Sequence, residues 1–166
     1  MKKFILLVLI FLMVGCTKTR TEVIDTLLDN GYSKNSVGAY ERNDNDISLR
    51  FLYVSSFNGY SESAHRYFEQ GPVLIMDKGD HNLNYHFNED LMYYRYACTL
   101  DTGEGSTEIV YRFETSEFIL THDDCSYDTA QVEDFYVEAA NSKEYANEVI
   151  KNLKLTVKDL NNLKVE

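Results

Sequence analysis

The sequence contains no tryptophan and one proline, Pro72. A single proline leaves no room for a proline-rich linker, and a chain of 166 residues suits one domain. Basic residues are scarce: 16 Lys and Arg stand against 27 Asp and Glu, for a net charge of −11. An acidic chain repels phosphate backbones, and no basic stripe offsets the repulsion, which excludes nucleic acid as a partner. There is no C-x-x-C pair of the redox-active kind and no G-x-S-x-G motif. No internal repeat with a period of about 20–50 residues is present. What the chain does have is an apolar fraction of 44%, ordinary for a globular protein, together with 13 Tyr and three Cys.

Residues 1–3 are Met-Lys-Lys, a short basic start, and residues 4–14 are apolar throughout. A run of that length suits the core of a secretory signal. It falls well short of the roughly 20 residues that a transmembrane helix needs. A signal cleaved at an ordinary small-residue site would carry an A-x-A pattern; instead Gly15 and Cys16 stand where the run ends. "LMVGC", residues 12–16, resembles the lipobox of bacterial lipoprotein precursors. Gly15 is the small residue that this family places before its cysteine, and Val14 fits the aliphatic position before that. Met13 stands where the family usually has Leu.

The resemblance covers residues 1–16. It implies that residues 1–15 are a signal peptide and that Cys16 is diacylated on its thiol and becomes the new N-terminus. Two acyl chains give stable attachment where one gives only marginal binding. The implied location is a bacterial membrane, with the domain facing outside the cytoplasm. Loss of Lys2 and Lys3 moves the net charge from −11 to −13. Such a domain is expected to stand off an anionic membrane surface, the more so at low salt. Residues 16–21 read as the lipidated cysteine and a short polar tether, and residues 22–166 as a single domain. With Cys16 assigned to lipid, Cys98 and Cys125 are the remaining pair. Export places them where disulfides persist; the alternative is two buried free thiols.

Along the mature chain, Thr19 and Glu22 match a capping box. Val23, Ile24, Leu27 and Leu28 follow at helical spacing, and Gly31 is placed to end the helix. Residues 37–54 read as a hairpin, with "NDND" at 43–46 as its turn. Residues 61–68 predict a short capped helix stopped by Gly71 and Pro72, although "NG" at 58–59 is also a hairpin signal. Residues 73–76 and 83–87 predict strands around a "DKGD" turn. Residues 91–100, 108–114 and 118–122 predict three more strands, with "DTGEGS" at 101–106 as a loop and a tight turn at Thr115 and Ser116. Ile109, Tyr111 and Phe113 share one face by alternation, as do Phe118 and Leu120. Tyr145, Ala146, Val149, Ile150, Leu153, Val157 and Leu160 fall at spacings of three and four, which predicts one long helix. The expected fold is α+β: an antiparallel meander sheet packed by a long C-terminal helix, with a short N-terminal helix near the tether. One sheet face should be buried and the other wet.

Three clusters carry candidate chemistry. In "THDDC", residues 121–125, His122 with Asp123 or Asp124 forms a possible base and orienter; the competing reading is a strand end with a solvated acidic turn. Asp77, Asp80, His81 and His86 hold donor types that suit Zn²⁺ or Mn²⁺, against the reading of a polar hairpin loop. "NDNDIS" at 43–48 lacks the Gly and Glu of a calcium loop and reads as a turn. Tyr93, Tyr94 and Tyr96 are candidates for sugar stacking or a protein interface. Tyr94 and Tyr96 project together with Cys98 and Tyr93 goes the other way; in a tryptophan-free chain such residues also supply core bulk.

The first functional reading is a non-catalytic binding or accessory module, held to a bacterial membrane through Cys16. Its partner would be an envelope protein or a cell-wall component, and no cofactor is expected. It rests on the lipobox, the modest size and the missing catalytic motif. The rivals are a small envelope hydrolase using His122 with Asp123 or Asp124, and a divalent-metal-dependent solute binder around His81 and His86.

Overall fold

Thr19 starts the first helix by a reciprocal pair of bonds. Its hydroxyl accepts from the Glu22 N–H at 3.3 Å while the Glu22 carboxylate accepts from the Thr19 N–H at 2.7 Å. This capping box begins α1 (Arg20–Asp29), so the segment expected as a tether is already the cap and first turn of a helix. Val23 and Leu27, one turn apart, are fully buried. Gly31 ends the helix at φ +82°, where the left-handed backbone lets the Tyr32 N–H return to the Leu27 carbonyl at 3.1 Å. The computed structural model describes residues 16–55, 62–79, 81–126 and 129–164, with backbone alone for 129–140.

Eight antiparallel strands follow, each bonded to the next in chain order. They are β1 (Ser33–Lys34), β2 (Tyr40–Asp44), β3 (Ile47–Val54), β4 (Gly71–Lys78), β5 (His81–His86), β6 (Leu91–Leu100), β7 (Gly103–Arg112) and β8 (Glu117–Asp123). The expected meander therefore extends back to the start of the sheet. The β2–β3 turn is tighter than expected, because Asn43 and Asp44 pair within the ladder and Asn45 alone takes φ +55°. Asn tolerates that conformation better than most residues. The "DTGEGS" loop is likewise shorter, since Gly103 to Ser106 pair with β6. The helix expected at 61–68 is reduced to one 3-10 turn, Ala64–Tyr67. Gly71 and Pro72, read as its stop, open β4 and pair with Val54 and Tyr53.

Strand alternation sends side chains to two faces. On one, Leu49, Phe51, Leu74, Met76, Leu83, Met92 and Ile109 meet Val23 and Leu27 of α1 and Ala146, Val149 and Ile150 of α2 (Thr129–Asn152). Each fully buried Leu or Phe contributes about 1.5–3 kcal/mol. On the other face, Leu91, Tyr93 and Val110 are covered by Ala64 and Phe68 from the 3-10 turn and its end. That second cluster corrects the expectation of a wholly wet face: toward the β8 edge of the sheet, β6 and β7 are buried on both sides.

The single long helix expected through Leu160 does not form. α2 ends at Asn152, Lys154 turns left-handed at φ +53°, and a separate short helix, α3 (Val157–Asn161), follows. Thr156 and Asp159 close a second capping box at its start. The apolar stripe ran on because both pieces bury residues in one core: Leu153, Leu155 and Leu160 all belong to the helix-side cluster.

Candidate functional site

On the face away from α1 and α2, four registers line up five polar side chains. Asp77 stands opposite Asn82, Asn82 opposite Arg95, Arg95 opposite Glu108, and Glu108 opposite His122. Directly opposed residues in an antiparallel pair have Cβ atoms about 4.5–5.5 Å apart, so the five form one row across β4 to β8. Asp77 accepts from the Arg50 guanidinium and from the Asn82 amide. Asn82 in turn accepts from Asn84 at 2.5 Å. Arg95 Nε lies 4.0 Å from Glu108 Oε1. Glu108 is 7% exposed, and its Oε2 has no hydrogen-bond partner among the described residues. Leaving a buried polar atom unpaired costs about 1–3 kcal/mol, which makes Glu108 the strained member of the row.

The row ends at His122. Its Nε2 lies 2.8 Å from Asp124 Oδ2, and this hydrogen bond holds the Asp124 carboxyl below the usual carboxylate range. Asp123 points to the opposite face, where it accepts from the Thr107 hydroxyl at 2.7 Å. His122 therefore has one orienting carboxylate, Asp124, and not Asp123. Both members stand in solvent, with side chains 42% and 44% exposed. The adjacent cysteine offers no thiolate, because Cys125 is disulfide-bonded to Cys98. The nearby Ser63 hydroxyl donates to the Thr121 carbonyl at 2.8 Å. The pair can bind and relay a proton, but among the described residues nothing placed beside it supplies an activated nucleophile.

The candidate metal ligands do not converge. His81 and His86 lie five residues apart on β5, an odd separation that sends them to opposite faces. His81 faces the helix side, where the Tyr94 hydroxyl lies 2.7 Å from its Nδ1. His86 is 1% exposed, with its ring centroid 4.4 Å from that of Phe68, and desolvation lowers its pKa to about 3. Asp77 is held by Arg50 and Asn82, and Asp80 lies outside the described residues. Among the described residues no group of three His, Cys, Asp or Glu could hold a metal ion.

The tyrosines divide as alternation requires. Tyr93 is buried in the smaller cluster and Tyr94 in the larger. Tyr96 is half-buried, with the His81 ring 5.5 Å away. Tyr93 and Tyr94 are core residues, which removes them as a binding surface. Cys16 is a free, exposed thiol. Arg50, Arg95 and Glu108 were not singled out from sequence; the signal for them is the chain of strand registers, which becomes readable once the turns are fixed.

No protein-family model, no curated protein and no solved structure is significantly similar to the chain.

Proposed function

We propose that the protein is a membrane-anchored extracytoplasmic lipoprotein that works as a non-catalytic binding or accessory module of the bacterial envelope. The observation that carries this reading is the division of its three cysteines. Cys98 and Cys125 are joined, and Cys16 is exposed just ahead of the cap of α1, with a free thiol. A bridged pair fits an exported protein, and a free thiol at the end of a lipobox is where an acyl anchor would attach. No helix among the described residues is long and apolar enough to cross a membrane; in this reading attachment is by lipid.

The binding surface of this module is the row from Asp77 to His122. Its alternating acid, amide, base, acid and imidazole suit a ligand with charges of both signs, such as the peptide portion of a cell-wall component or a partner protein. A polyanion would meet Asp77 and Glu108. A hydrolase built on His122 and Asp124 has less support, because that pair is solvent-exposed and its neighbouring cysteine is bridged.

The test combines two measurements. Cells grown with a labelled fatty acid should place the label on the protein, and Cys16→Ala should abolish labelling and leave an unprocessed precursor. Continued labelling of that variant would overturn the anchor. Arg95→Glu, on the exposed part of the row, should lower recovery of the bound envelope component at least tenfold in a pull-down with the lipidated protein. Unchanged recovery would remove the row from the interface.

A further inference from the structure

Two short segments of this acidic chain, which the fold brings together, are rich in cations. Residues 16–21 and 151–164 carry six cations, Lys18, Arg20, Lys151, Lys154, Lys158 and Lys164, and one acid, Asp159. The fold joins the two segments: the Lys18 N–H donates to Asp159 Oδ1 at 2.6 Å, and the Lys18 carbonyl accepts from Asn162 Nδ2 at 2.5 Å. Between them lies an open cleft of about 770 Å³, lined by Thr17, Lys18, Arg20, Asn161 and Lys164 among others. None of its three cations forms a salt bridge among the described residues. Lys18 Nζ donates to the Thr26 hydroxyl at 3.0 Å, and Lys164 lies 6.0 Å over the Tyr53 ring. The neighbouring carboxylates, Glu22 and Asp159, are engaged in the caps of α1 and α3.

We propose that this cleft takes the phosphate of an anionic phospholipid in the leaflet that carries the anchor, so that the domain docks on the membrane by a fixed end. The proposal rests on the lipid anchor at Cys16. Because the chain is clamped from Lys18 onward, Thr17 alone separates Cys16 from the folded domain. Two extended residues span at most about 7 Å, and the polar headgroup layer is roughly 5–8 Å thick on each side of the hydrocarbon. The cleft is thereby held at headgroup depth. Each cation near an anionic leaflet is worth about a fivefold gain in partitioning, so Lys18, Arg20 and Lys164 together give roughly a hundredfold bias toward the docked state. The acids shown beside the cleft cations, Glu22 and Asp159, are outnumbered by Lys18, Arg20 and Lys164.

The experiment uses protein extracted from membranes and reconstituted into vesicles of phosphatidylcholine alone or mixed with phosphatidylglycerol. An amine-reactive acylating reagent reports each lysine by mass spectrometry. Lys18 and Lys164 should react at least tenfold more slowly on the mixed vesicles, with high salt restoring the rate and Lys34 and Lys78 unaffected. Arg20→Glu, a substitution at an exposed position, should remove the protection of Lys164. Equal rates on the two vesicle types overturn the proposal. Equal protection by inorganic phosphate on neutral vesicles also overturns it, by making the cleft a site for free phosphate. The same spectra weigh the Cys16 peptide, so a missing acyl mass refutes the anchor separately. The cleft is then judged on the unacylated chain: flotation with the mixed vesicles alone supports it, and no flotation overturns it.

Discussion

Replacing His86 tests the two-sided burial of the sheet most directly. The residue lies on β5 between Val73 and Leu91 in the ladder, with Phe68 over its ring. Desolvation there lowers its pKa from 6.5 to about 3. Between those values the unfolded chain holds a proton that the folded chain does not, so acid favours unfolding. The stabilisation is whole above pH 6.5 and is lost by about 1.4 kcal/mol for each pH unit below it, until the native imidazole itself protonates. At pH 5 the loss relative to pH 8 comes to about 2 kcal/mol. His86→Phe keeps a ring against Phe68 and cannot protonate. Urea unfolding of both proteins at pH 8, 6.5 and 5 isolates the effect, because carboxylates common to the two cancel in the difference. The variant should gain about 2 kcal/mol on the wild type between pH 8 and pH 5, and the His86 ring proton should show no NMR titration above pH 5. A difference that stays flat with pH, or a ring that titrates near 6.5, refutes the burial argument.

Two further outcomes follow from the covalent and capping frame. Joint Cys98→Ser and Cys125→Ser opens a loop with a sequence separation of 27. On chain-entropy grounds this costs about 3.5 kcal/mol, a fall of about 7–14 °C in the thermal midpoint at about 2–4 °C per kcal/mol; a fall under about 2 °C would contradict it. Asp159→Ala removes the acceptor of both the Thr156 and Lys18 N–H groups. Urea unfolding should register a loss of about 2–3 kcal/mol, and Asp159→Asn should restore part of it; no difference between the two variants would argue against the shared acceptor.

Local signals carried the sequence reading where one residue decided the geometry. Thr19 with Glu22, Gly31, and the turns at Asn45 and Ser116 each set a cap or a reversal by their own chemistry. The reading failed where tertiary pairing overrode the local signal. Gly71 and Pro72 look like a helix stop, yet β3 recruits them into the ladder. Lys154 has no intrinsic liking for the left-handed region, which costs a non-glycine residue about 1–2 kcal/mol. It adopts that backbone while Leu153 and Leu155 on either side are buried and Thr156 caps α3. The stop was invisible, although the Thr156 and Asp159 start signal stood in plain view.

The candidate site was less legible, because its members depend on registers rather than on spacing. His81 and His86 look like neighbours in sequence, but a strand with a period of two must send them to opposite faces. His122 is subtler. Strict alternation from Phe118 and Leu120 would place it on the helix side, opposite Thr107. A bulge between Glu108 and Ile109 shifts β8 by one residue, so that Glu108 meets His122 and Thr107 meets Asp123. One inserted residue flips every side chain beyond it to the other face. The bulge thus completes the row that runs from Asp77 to His122 and turns Asp123 away to Thr107. It leaves Asp124 as the carboxylate partner of His122. No pattern of residue types announces that insertion. The shift falls between Ile109, buried in the apolar core, and the end of β8 next to Cys125, which is tied to Cys98.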